Sequence, residues 1–149
     1  MNIRTPRARW AGDTGAELIE LALVLPILLL IMSGIMDFGF LFQRWEVVTN
    51  AAREGARLGS LPLYSVDDVK QRVEQYLQAG GLVEAHPAPQ ATYETEVVGT
   101  SNVSVIRVTV TYPSQFAFLG PIASLVGGGG YSTIQLRATS VMRREGGGS

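Results

Sequence analysis

Glu20 and Asp37 are the two residues whose chemistry is most at odds with their surroundings, because they bracket the uncharged run Leu21 to Met36. A carboxylate beside a membrane-length apolar run is costly to desolvate, and such groups usually have a partner. For Glu20 the chemistry that fits is an ion pair with a cation inside a bundle of similar helices. Asp37 has two readings. It either reaches water at the outer interface, or it pairs with Arg44, two turns along the same face, or with a neighbouring helix.

Few other residues could do chemistry. The chain has one histidine, His86, and no cysteine, so it assembles neither a Ser/His/Asp set nor a metal-ligand cluster. His86 stands next to Pro87 in a Pro/Ala-rich stretch and reads as a solvated spacer. Glycines 127 to 130 lack the Lys-Ser/Thr and helix context of a phosphate loop. Glu94 and Glu96 alternate along a strand pattern and read as a solvated face, with carboxylate-only catalysis as the remaining enzymatic option. The expectation is no catalytic residues, no metal and no cofactor. Lys+Arg is 12 and Asp+Glu 13, so a net charge of -1 gives no case for a nucleic-acid partner. The lack of cysteine excludes disulfides without excluding an extracytoplasmic home.

The elements that must position these carboxylates begin with a membrane span. Leu18 to Phe42 exceeds the roughly 20 residues a helix needs to cross the hydrocarbon core. Pro26 lies inside it, removes one backbone donor and is expected to bend the helix. Residues 1–15, ahead of the span, carry Arg4, Arg7 and Arg9 against Asp13 alone, which favours a cytoplasmic N-terminus and an extracytoplasmic remainder. A cleaved secretory signal fits less well. Its apolar part runs only about 7–15 residues, whereas this one continues without a turn signal to Trp45.

Helical periodicity persists beyond the span. Val47, Val48, Ala51, Ala52, Gly55, Ala56 and Gly59 make a stripe of small or branched residues, opposite Glu46, Asn50, Arg53, Glu54 and Arg57. One helix should thus cross the membrane and then seat a sheet through Ala51, Ala52, Gly55 and Ala56, ending at Ser60-Leu61-Pro62. A second helix is expected from the Ser65 cap and Asp67-Asp68 to Gly80-Gly81, with Val66, Val69, Val73, Tyr76 and Leu77 inward. Strands are expected over Thr92 to Val98, Val103 to Tyr112 and Thr133 to about Met142. The apolar phase shifts between Val105 and Ile106, which calls for a bulge or for burial on both faces. The long apolar connection Ser114 to Gly130 reads as cover for the sheet edge, with a partner surface as the alternative. Gly146 to Ser149 resembles a flexible linker.

Taken together, Gly15-Ala16, Glu20-Leu21-Ala22-Leu23-Val24-Leu25-Pro26, Gly34-Ile35-Met36-Asp37-Phe38-Gly39, Asn50 to Arg57 and the closing Met142-Arg143-Arg144-Glu145 resemble the TadE-like family. These are pseudopilins of tight-adherence (Flp-type) pilus systems. The resemblance implies an α+β, pilin-like fold: a long N-terminal helix, one further helix and an antiparallel sheet of about three strands. It implies that a membrane-embedded prepilin peptidase cuts between Gly15 and Ala16, making Glu20 the fifth residue of the mature chain. Gly12 stands five residues before Glu17, so a second register exists, although the position of Pro26 favours Gly15. A new α-amino group at Ala16, with a pKa near 8, would be cationic at neutral pH and could pair with Glu20 of a neighbouring subunit. Pro26 and Asp37 belong to the same implied assembly and register set. The implied partners are the peptidase, other pilins or pseudopilins, the inner-membrane assembly platform and the bilayer. The expected division is a basic leader 1–15, a helix 16–59, an extracytoplasmic head 60–145 and a tail 146–149. The leading function is a minor pilin or pseudopilin; the alternative is an uncleaved, membrane-anchored interaction domain.

Overall fold

The computed structural model describes residues 13–125 and 133–145. Arg4, Arg7, Arg9 and Gly12, the glycines 127 to 130 and residues 146–149 lie outside the described residues. The elements run α1 (Asp13–Gly59), α2 (Val66–Ala79), β1 (Gln90–Val98), β2 (Ser101–Gln115), α3 (Leu119–Leu125) and β3 (Thr133–Arg143). This is the expected α+β arrangement of one long helix, a further helix and a three-stranded antiparallel sheet in the order β1-β2-β3. The short α3 is an addition to it.

At 47 residues α1 is about 70 Å long at 1.5 Å per residue. It continues through Pro26, whose missing N–H leaves the Ala22 carbonyl without its helical donor. The two halves differ in what surrounds them. From Leu18 to Met36 almost every large apolar side chain is exposed, whereas Val48, Ala51, Ala52 and Ala56 are fully buried. This is the helix long and apolar enough to cross a membrane among the described residues.

The buried half of α1 is covered by α2 and the sheet. Ser65 caps α2: its hydroxyl accepts from the Asp68 N–H, and the Asp68 carboxylate accepts from the Ser65 N–H in return. At the other end Leu82 N–H donates to the Leu77 carbonyl and Gly81 N–H to that of Gln78. These two bonds make a Schellman stop, with Gly81 in the left-handed conformation it requires (φ 80°) and Leu77 and Leu82 packed in the core. Val69, Val73 and Leu77 face inward on α2, against Ile106, Val108, Val110 and Tyr112 of β2 and the small stripe of α1.

β2 is the central strand and extends beyond its expected ends, from Ser101 through Pro113 to Gln115. Pairing with β1 is unbroken from Gln90↔Thr109 to Val98↔Ser101, so Val105 and Ile106 are buried without a bulge. Ile106 belongs to the core face and Val105 to the opposite one, where Thr109 meets Thr139 of β3 at 3.0 Å. Gly99, at φ 66°, opens the two-residue turn into β2.

Ile106 lies beside Gly59, Val108 beside Gly55, and residues 117–119 beside Asp37. Two strand residues advance about 6.6 Å, close to the 6 Å of four helical residues. β2 therefore descends α1 in step with its turns, and the β2–β3 end of the sheet points towards the bare half of the helix.

Candidate assembly site on the long helix

Glu20 is exposed and has no hydrogen-bond or ion-pair partner among the described residues. It shares a shallow depression with Glu17, Leu21 and Val24, and at four residues' spacing it lies on the same face as Ala16. Gly15 has open space where a side chain would stand, so packing within the chain does not account for a glycine there. The Gly15–Ala16 bond lies within the first turns of α1.

Asp37 neither reaches water nor pairs with Arg44. It is 3 % exposed, and its carboxylate accepts from three successive backbone N–H groups. Oδ1 receives Ala117 at 2.9 Å and Phe118 at 3.1 Å, while Oδ2 receives Phe118 at 3.1 Å and Leu119 at 2.6 Å. Arg44 stands about 10 Å further along the axis and lies 3.7 Å from Glu84 instead. The physical reason is the descent of β2, which delivers the start of α3 to the side of α1. The first N–H groups of a helix lack internal partners, and a carboxylate from another element can supply an acceptor for them. The connection after β2 is thus held on α1, and its first two residues, Ser114 and Gln115, belong to the strand rather than to a cover over the sheet edge. The rings of Phe38 and Phe116 meet edge-on at 6.4 Å beside the clamp. Above it Phe38, Leu41, Phe42, Trp45 and Leu136 line an apolar groove of about 220 Å³.

The stripe that seats the head is close-packed. Ala51, Ala52 and Ala56 are at most 1 % exposed, and a Cβ on Gly55 would stand 2.5 Å from Val73 Cγ2 and 3.3 Å from Val108 Cγ1. On its flank Glu54 joins α1 to α2. The Arg57 guanidinium bonds both carboxylate oxygens at 2.8 and 2.9 Å, and Arg72 bonds Oε1 at 3.0 Å. Hydrogen bonding to Arg57 leads the causes that, against partial burial, hold its carboxyl down to about 2. Glu94 and Glu96 are not a free carboxylate pair, since Arg107 of β2 bonds both, at 2.9 and 2.6 Å. His86 is packed rather than solvated. Its ring lies 5.2 Å from that of Tyr112, with Nε2 3.2 Å from the Glu74 carboxylate. Among the described residues no group of three or more His, Asp or Glu is placed to hold a metal.

Of the positions expected to act in assembly, Ala16 and Glu20 are helical neighbours one turn apart, and the fold brings neither to Pro26 or Asp37. They are strung along one helix, and only Asp37 meets a distant part of the chain. The partners of Asp37 are backbone amides some 80 residues away, which leave no mark on sequence. The usable signal is indirect: an uncharged connection with no acidic cap of its own, and a carboxylate at the end of a long apolar run.

Residues 15–57 match the family model described as TadE-like protein. No curated protein and no solved structure matches the chain. The matched stretch contains Gly15, Glu20, Pro26, Asp37 and the small stripe up to Ala56, whereas the sheet and its closing Met142-Arg143-Arg144-Glu145 lie beyond it. Over that stretch the chain is similar to TadE-like proteins, a family associated with tight-adherence (Flp-type) pilus systems.

Proposed function

We propose that this TadE-like chain is a minor pilin or pseudopilin, held in the inner membrane by α1 and contributing to pilus assembly or secretion and to surface adherence. The N-terminus would be cytoplasmic and the head extracytoplasmic. A prepilin peptidase would cut between Gly15 and Ala16, leaving the span attached to the head. The observation that carries this reading is Glu20: a carboxylate on a bare apolar half-helix, without a partner among the described residues and five positions after the glycine at which the family match begins. Desolvating such a carboxylate costs several kcal/mol, and a cationic Ala16 amine on a neighbouring subunit would offset part of that cost. The pair would also set the axial stagger of adjacent subunits, register being the best-attested use of buried polar groups. Other pilins or pseudopilins and the assembly platform are the partners such a helix would meet.

Intact mass with and without a co-expressed prepilin peptidase tests the proposal. Loss of residues 1–15 supports it, and loss of 1–12 moves the processed bond to Gly12. An unchanged mass overturns processing and favours a permanently anchored interaction domain. For the processed chain, Glu20→Ala is expected to abolish entry into pili or pilus complexes; entry at the wild-type level would sink the pairing.

A further inference from the structure

The geometry points to a second membrane contact: the start of the β2–β3 connection, Phe116 to Ile122, lies in the outer leaflet, docked there by Asp37. The argument rests on α1 spanning the bilayer and not on cleavage or filament formation.

Depth is measured along α1. Glu20 is the last charge before the bare run, and Asp37 is 17 residues further on, about 26 Å at 1.5 Å per residue. A hydrocarbon core of about 30 Å reaches roughly to Phe40, and any tilt of the helix carries Asp37 deeper still. Trp45 and Arg44 then fall just outside, where aromatic and basic anchors belong. Asp37 therefore lies inside the apolar boundary, and the amides of Ala117, Phe118 and Leu119 are fixed to it at 2.6–3.1 Å.

The segment has the composition for that depth. Residues 116–125 carry no charge, and Phe118 and Ile122 are exposed. The neighbouring Phe116 meets the exposed Phe38 of α1 ring to ring at 6.4 Å, so the segment joins the apolar surface of the helix. Irregular backbone at membrane depth is tolerated only where its polar groups are satisfied within the protein. Asp37 supplies that acceptor for three successive N–H groups. The same contact accounts for a carboxylate at this level of the span: it faces amide hydrogens and not lipid.

The absence of cysteine permits a direct test. Single nitroxide labels at Phe118→Cys, Leu28→Cys and Gln71→Cys, each in the full chain reconstituted into phosphatidylethanolamine/phosphatidylglycerol vesicles, would be compared for collision with oxygen and with a water-soluble nickel chelate. All three positions are exposed, so the labels do not disturb the core. The label at 118 should resemble Leu28 more than Gln71, with oxygen collision above that at Gln71 and nickel collision several-fold below it. Nickel access at 118 equal to that at Gln71, with Leu28 still in lipid, overturns the inference and leaves the span intact. Nickel access at Leu28 overturns both. Shielding of 118 from both reagents, relieved by dilution into excess lipid, would assign the face to a second copy of the chain and also overturn it.

Discussion

Replacing Asp37 with alanine removes the acceptor for three backbone donors at once. A hydrogen bond to a charged group contributes about 1.5–3 kcal/mol, and one carboxylate serves Ala117, Phe118 and Leu119, so the contributions do not add. Ala117 and Phe118 are exposed enough for freed amides to find water where water reaches them, which limits the loss further. About 3 kcal/mol is the reasonable figure for opening this corner. It corresponds to roughly a hundredfold fall in hydrogen-exchange protection of the amides 117–119, read by mass spectrometry on the reconstituted full chain. Amides within α2, such as those of Val69 and Val73, should keep their protection, because that core does not depend on the clamp. Asp37→Asn retains one acceptor oxygen but turns an amide N–H towards the donors, and should lose about tenfold. If Asp37→Ala leaves amides 117–119 as protected as before, the carboxylate does not hold this segment and the account of the clamp is wrong.

Three further outcomes follow from the packing. Gly55→Val places branched carbon where a Cβ alone would stand 2.5 Å from Val73 Cγ2, and should cost about 3 kcal/mol in denaturant unfolding of the head. Ser65→Ala breaks the capping box and should cost about 1 kcal/mol, with α2 fraying first by exchange. Glu54 titrates from 4.5 when unfolded to about 2 when folded, so its contribution is complete above pH 4.5 and lost as pH falls towards 2. Because Arg57 and Arg72 are half-exposed, solvent screening should hold that contribution to about 1 kcal/mol, and Glu54→Gln should flatten stability over this window.

Local rules made much of this fold readable. A span announces itself by length and apolarity, and α2 by a serine, two aspartates and a glycine pair at the right spacing. The small stripe of α1 could be read as a seat because alanine and glycine at helical spacing admit a close neighbour. What could not be read was set at a distance. Pro113 stands inside β2, opposite Gln135, where β1 has already ended at Gln90↔Thr109 and one edge of the strand is unpaired; a proline read locally marks an end. The shift in apolar phase at Val105 was ambiguous until both flanking strands were placed. His86 looked like a spacer because nothing local reveals that Tyr112 and Glu74 converge on it. Asp37 was conspicuous and still misread, since amide hydrogens carry no letter in the sequence. Glu20 is the reverse case, legible as a residue in need of a partner and without one among the described residues.

The uninterrupted course of α1 gives the molecule the mechanics of a keyed shaft. No loop separates the span from the helix under the sheet, so rotation of one is rotation of the other. At about 100° per residue, the 17 residues between Glu20 and Asp37 place the two carboxylates about 100° apart around the axis. Whatever grips the helix at Glu20 thereby sets the compass bearing of the head, some 26 Å or more away. Deleting one residue from the bare run would leave its apolarity almost unchanged and turn the head by about 100° against that grip.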